Sequence, residues 1–174
     1  GALTKTTAGT VTLSGANSFS GGTVVAAGNL TLAGGAALLD VGSVSVAGGA
    51  VLTVASSETI GALTGGGTVN LAAGQVLGAG SGDASSAFAG RFSGAGGLNK
   101  LGAGTLALDG NSNDHSGGTT VTAGTLATGV ANALPAAGAV NVEGGTLDLS
   151  GHDNAGLGVV TLLSGNIVST GAPA

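Results

Sequence analysis

The sequence predicts an all-β chain wound as a right-handed parallel β-helix of roughly eight to nine rungs, and three observations predict it. Apolar residues alternate with Thr, Ser and Asn in segments of a few residues, each bounded by glycines. The text of residues 3–15 recurs at 98–110, and a period of about 20 residues runs inside this longer repeat. The composition is apolar yet almost without aromatics: 43% hydrophobic and 38 Gly, but three Phe and no Trp, Tyr, Met or Cys. A narrow triangular core takes one aliphatic per inward position and leaves no room for an indole or a phenol. Its corners need the positive φ that Gly supplies. Rungs stacked at about 4.8 Å make a rod on the order of 40 Å long. A sandwich or an up-and-down barrel would explain the alternation but not the recurring text.

In chain order, residues 10–13 put Val11 and Leu13 on one face, and Ser14 with Gly15 ends that segment. Residues 23–26 and 29–32 follow, closed by Gly34 and Gly35. Residues 43–46 and 50–54 are separated by Gly48 and Gly49; Ile60 with Leu63 comes next, then residues 68–71 after a run of three glycines. Residues 77–97 read as the least regular part, with a longer loop over 78–83 and a single strand over 87–93 carrying Phe88 and Phe92. Beyond Leu126, residues 140–142, 146–149, 159–162 and 166–168 continue the pattern. No stretch shows helical spacing. With no shift in composition to mark a boundary, residues 1–174 read as one β-helical segment, its long repeat at 3–30 and 98–126. The expected core is Leu13, Val25, Leu32, Val54, Leu71, Leu108, Val121, Leu126 and Leu149. Within it, Leu13, Leu32, Val54 and Leu71 should form one apolar column that Leu108, Leu126 and Leu149 continue.

The two copies, GALTKTTAGTVTLSGANSFSGGTVVAAGNLTL and GGLNKLGAGTLALDGNSNDHSGGTTVTAGTL, resemble the autotransporter-associated β-strand repeat of Gram-negative passenger domains. Its usual form is G-x-L-x-K-x-G-x-G-T-L-x-L-x-G-x-N-x-[FY]-x-G-G-T-x-V-x-x-G-x-L. The similarity extends to ETIGALTGGGTVNL and EGGTLDLSGHDNAGLGVVTL, so it covers nearly the whole chain. The resemblance implies a β-helical stalk of a larger passenger, secreted and displayed at the bacterial cell surface, attached to the membrane only through a C-terminal β-barrel absent from this sequence. The flat ladders of Thr, Ser and Asn that a β-helix presents, with little charge repulsion to overcome, support a part in adhesion, autoaggregation or biofilm formation. The copies differ at the aromatic slot, which holds Phe19 in the first and His115 in the second, beside an inserted Asn111.

Charge narrows the partners. Only 6% of the residues are charged, the formal net charge is −5, and Lys5, Arg91 and Lys100 are the basic residues. No patch could neutralise several phosphates, so nucleic acid is not an expected partner. The apolar runs are short and broken by Gly, too short for a membrane-spanning helix. The lack of a Met start and of a leader suggests a piece of something longer. Zero Cys suits the cytosol, and equally a chain that crosses a periplasm unfolded.

Candidate chemistry is sparse. Asp83 in a Gly-rich loop does not recur in the series that a calcium-binding nonapeptide repeat requires. Asp109, Asp114 and His115, with Asp148, His152 and Asp153 about two rungs on, form the best constellation. Asp114, His115, His152 and Asp153 are its weak metal candidates. Short polar residues in such turns more simply accept backbone N–H bonds. No catalytic residue, metal or cofactor is therefore assigned. No Gly-Asp-Ser-Gly nucleophile segment is present. Thr10 with Thr12 and Thr120 with Thr122 resemble the Thr-x-Thr of ice-binding solenoids, but a long repeat separates them. Carbohydrate sites normally include a stacking aromatic, and with no Trp or Tyr that mode of binding is weak here. The reading is a structural and adhesive rod, not an enzyme, whose partners are like copies of itself or host and cell-surface ligands. The alternatives are a self-assembling filament subunit and a polysaccharide-active β-helix enzyme.

Overall fold

The computed structural model describes residues 1–171, a stack of short strands in which every pairing is parallel. The first rung is β1 (Leu3–Lys5) and β2 (Thr10–Leu13), and the second is β3 (Thr23–Val25) and β4 (Asn29–Leu32). Three rungs of three strands follow. They are β5 (Val44–Val46), β6 (Val51–Val54) and β7 (Glu58–Ile60); β8 (Leu63–Gly65), β9 (Thr68–Leu71) and β10 (Val76–Ala79); β11 (Ser86–Phe88), β12 (Arg91–Gly94) and β13 (Gly97–Lys100). β14 (Thr105–Leu108), β15 (Thr119–Val121), β16 (Thr125–Thr128), β17 (Val140–Asp148) and β18 (Val160–Val168) complete the series.

These strands make three faces. The first stacks β1, β3, β5, β8, β11, β14 and β16, then the C-terminal halves of β17 and β18. The second stacks β2, β4, β6, β9 and β12. The third stacks β7, β10, β13 and β15, then the N-terminal halves of β17 and β18, and β17 turns from third face to first where its register shifts near Glu143. The result is a β-solenoid of about eight turns, as the alternation and the short period predict.

Inward residues fill the centre. Val25, Leu32, Val54, Leu71, Leu108, Val121 and Leu126 are fully buried, while Leu13 and Leu149 are half-buried toward the ends. The column of Leu13, Leu32, Val54 and Leu71 forms as the alternation predicts. Its continuation does not: Leu71 is followed by Gly94. Leu108 lies instead on the first face between Phe88 and Thr128, and Leu126 lies in a different column between Leu106 and Leu147. Leu149 follows β17, its N–H donating to Val168. The cause is arithmetic. Partners on successive rungs stand about 20 residues apart, so a repeat offset of about 95 is some four and two-thirds rungs. The second copy is turned by one face. Its β13 and β14 occupy the third and first faces where the matching β1 and β2 occupy the first and second.

Residues 77–97 hold four strands of the ladder, and of the expected loop over 78–83 only residues 80–83 stand outside a strand, in the connection between β10 and β11. Gly78 and Ala79, expected in a loop, belong to β10. The strand expected over 87–93 is two strands, broken at Ala89 and Gly90, so Phe88 and Phe92 reach the core from adjacent faces and meet at 5.0 Å between ring centroids. A corner of two residues restarts the alternation before it has run long enough to show in the text.

Both ends of the core are open. Val11, inward on β2, is 40% exposed, and Val160, Leu162 and Ile167, inward on β18, are 39%, 51% and 39% exposed. Pro173, expected to stop strand continuation, lies outside the described residues. Edge strands with free N–H and C=O groups template further pairing, and the first face begins with β1 and ends with β18. A head-to-tail contact between such edges does not close on itself. Sedimentation velocity over a hundredfold range of concentration should show end-to-end association of this 174-residue chain. A single monomeric species throughout would contradict that expectation.

Candidate functional site: the polar corners

Lys5 and Lys100 occupy the same place in the two repeats, inward on β1 and β13, and both are buried. The long apolar stem lies in the core while the ammonium reaches back to a corner. Lys5 Nζ donates to the Thr7 carbonyl, to Thr7 Oγ1 at 3.3 Å and to the Ala27 carbonyl at 3.2 Å. Lys100 Nζ donates to the Leu101 carbonyl, to Gly102 O at 2.8 Å and to Ala123 O at 3.2 Å. Each lysine thus ties its own corner to that of the next rung. Burial pushes the Lys100 ammonium below its ordinary pKa, and the negative charge of Asp83 pulls it part of the way back.

Asparagine does the equivalent work where a rung lacks a strand. On the second face beyond β12, Asn113 Oδ1 accepts the Phe92 N–H at 2.7 Å, while its Nδ2 donates to Gly110 O at 2.9 Å and Ala133 O at 2.7 Å. Asn17 repeats the donor half in the first copy, on the third face, to Gly15 O at 2.7 Å and Ala37 O at 2.9 Å. The carboxamide copies the donor and acceptor of a peptide group, so the ladder continues without a strand. Glu58, 3% exposed, accepts the Ala37 and Leu38 N–H groups at 2.9 and 3.0 Å, closing the loop of the second rung onto the third.

His115 fills the slot that holds the half-buried Phe19 in the first copy. It has no solvent exposure, stands edge-on to Phe92 at 5.8 Å, and binds Thr119 Oγ1 through Nε2 at 2.9 Å; its Nδ1 is buried without a partner. Desolvation lowers its pKa to about 4, against the opposing pull of Asp114. The unfolded chain therefore binds more protons than the folded chain between pH 6.5 and 4, and stability falls as pH is lowered through that window. The full effect is about 3 kcal/mol. The melting temperature should drop more steeply from pH 7 to pH 4 in the native protein than in His115→Phe; equal slopes would mean that His115 does not titrate as its burial requires.

The expected His–Asp constellation is not gathered into one site. Asp114 turns outward to pair with Arg91, both about half exposed, while His115 turns inward. His152 Nδ1 contacts the Thr128 carbonyl at 3.0 Å, Asp153 is exposed, and Asp148 accepts the N–H groups of Ser150 and Thr170 at 2.8 and 2.9 Å. Asp109 is exposed after β14. Among the described residues no group of three or more His, Cys, Asp or Glu could hold a metal ion. The polar residues that sequence reasoning missed, Lys5, Lys100, Asn17, Asn113 and Glu58, all join rungs. The signal for the lysines and asparagines was available, since Lys and Asn stand at matching positions in both copies, whereas Glu58 lies between the copies and has no counterpart.

Residues 3–35 and 98–127 match the family model described as passenger-associated-transport-repeat. That family is a structural passenger repeat and not a known enzyme family. No curated protein and no solved structure gives a match.

Proposed function

We propose that this chain, which carries two copies of the passenger-associated transport repeat, is one β-helical segment of a larger autotransporter passenger: a stalk at the bacterial cell surface that adheres through its flat outer faces. The observation that carries this reading is where the polar groups go. Lys5, Lys100, Asn17, Asn113 and Glu58 are turned to rung-joining bonds. On the outer side of the second face one column is an uncharged ladder of Thr12, Thr31, Thr53, Asn70 and Ser93 on five successive rungs, and the Arg91 beside it is paired with Asp114. Such a surface offers hydroxyl and amide groups at every rung with little charge to oppose a like copy or a host surface. Attachment to the outer membrane would come from a β-barrel elsewhere in the parent protein.

Display on a Gram-negative cell through a separate translocator β-barrel tests the leading reading. Protease should reach the segment on intact cells, and those cells should settle faster than cells bearing the barrel alone. Thr31→Lys with Thr53→Lys should slow settling without lowering display. Displayed cells that settle like the barrel control would reduce the segment to a spacer.

A further inference from the structure

We propose a binding site for a carboxylate-bearing sugar residue in the cleft at the corner between the first and second faces, on the fourth to sixth rungs. The proposal goes beyond the stalk reading and does not depend on it.

The cleft follows from corner lengths. The connection from β8 to β9 is only Gly66 and Gly67, and that from β11 to β12 only Ala89 and Gly90, so the backbone cuts straight across these two corners. After β14 the chain runs Asp109, Gly110, Asn111 and Ser112 before Asn113 resumes the ladder, and Asn111 is the residue inserted relative to the first copy. This longer corner stands beside the two short ones. The space between is a cleft of about 290 Å³ lined by Gly66, Gly67, Thr68, Gly90, Arg91, Gly110, Asn111 and Ser112, with Ala89.

Side chains are barred at Gly67, Gly90 and Gly110 in its lining. A Cβ on Gly90 would lie 2.0 Å from the Gly67 carbonyl oxygen, and one on Gly110 would lie 2.0 Å from that of Gly90. At these glycines a sugar ring can therefore approach the backbone itself. Its charge is equally distinctive: the chain has three basic residues, Lys5 and Lys100 are buried in the core, and Arg91 alone faces solvent. The guanidinium has five N–H donors, and Asp114 engages one nitrogen, Nη2, leaving others for a second carboxylate. Thr68, Asn111 and Ser112 bring hydroxyl and amide groups for ring hydroxyls.

Competing anions fit less well. One cation does not hold a polyphosphate. An acidic peptide binding in extended form needs an open strand edge, and at the rim of this cleft the Phe92 N–H and C=O are already taken by Asn113 and by the Asp114 N–H. A uronate sugar meets the arginine with its carboxylate and the neutral walls with its hydroxyls.

Titration of the isotope-labelled 174-residue protein with a galacturonate trimer, read by amide chemical shifts, tests the proposal. Saturable shifts should appear at Gly66, Gly67, Gly90, Gly110 and Asn111, with a Kd in roughly the millimolar range expected of one exposed ion pair and a few hydrogen bonds. Arg91→Gln should weaken binding about tenfold or more, Arg91→Lys should keep part of it, and deletion of Asn111 should weaken it while leaving Arg91 in place. Because Arg91 is exposed, both arginine variants should keep the native melting temperature. Equal binding of a neutral glucose trimer would remove the arginine from the site, and equal binding of a hexaglutamate peptide would make the site a general anion contact. Either result overturns the proposal, as does the absence of saturable shifts.

Discussion

Leu108→Asp should unfold the middle of the solenoid at neutral pH. Leu108 has no solvent exposure and sits inward on β14, with Phe88 on one neighbouring rung and Thr128 on the other. Removing the isobutyl group alone costs roughly 2 to 5 kcal/mol in a packed core, and a carboxylate in its place adds the penalty of an unpaired buried charge. The sum is roughly 5 kcal/mol or more, comparable with the whole stability of many domains. Because each rung contacts only its neighbours, the damage should be local first. Hydrogen exchange should show protection lost in β11, β14 and β16 while β4 and β6 stay protected, and urea should give a lower midpoint. Leu108→Val, which keeps an apolar side chain, should cost about 1 kcal/mol. A native melting curve for Leu108→Asp would place residue 108 at the surface and refute the register.

The fold class was legible because a parallel solenoid writes its period directly into the text: short alternation, glycine at the corners and the same words again a few rungs later. Which face each word lands on was not legible. Leu13 and Leu108 sit in matching words yet point into the core from different faces, since the repeat offset is not a whole number of rungs. Corner length was equally hidden. Ala89 and Gly90 make a full corner in two residues, and without coordinates Phe88 and Phe92 read as neighbours on one strand. The polar half of the design was missed for a different reason. Lys5 and Lys100 count as surface charges in any composition argument, because lysine is almost never fully buried unless paired. Here the partners are backbone carbonyls at corners, which exist only once the chain is wound. The matching positions of Lys and Asn in the two copies held that information, but only the corner geometry says what they do. Asp114 and His115 show the converse. They are neighbours in the text and part in space, one on Arg91 at the surface and the other against Phe92 in the core.

Lys100→Met should cost about 2 to 4 kcal/mol even though it exchanges a buried charge for an apolar side chain of similar length. Replacing every member of a buried polar cluster with apolar groups is often harmless, because no group is left without a partner. This substitution removes only the donor. The half-buried carbonyls of Leu101, Gly102 and Ala123 would lose the ammonium that now joins them, and an acceptor left unpaired costs up to about 1 to 3 kcal/mol where water does not reach it. Lys5→Met should cost less, because the first rung is more open to water, which can replace the lost donor. A pH series separates the electrostatic part from packing. Burial holds the Lys100 pKa below its ordinary value, so between the two values the unfolded chain binds more protons, and native stability should rise with pH there. Lys100→Met should lose that rise as well as shifting the urea midpoint down. A methionine variant as stable as the native chain, with the alkaline rise intact, would mean that the lysine fills space at this corner and does not hold two rungs together.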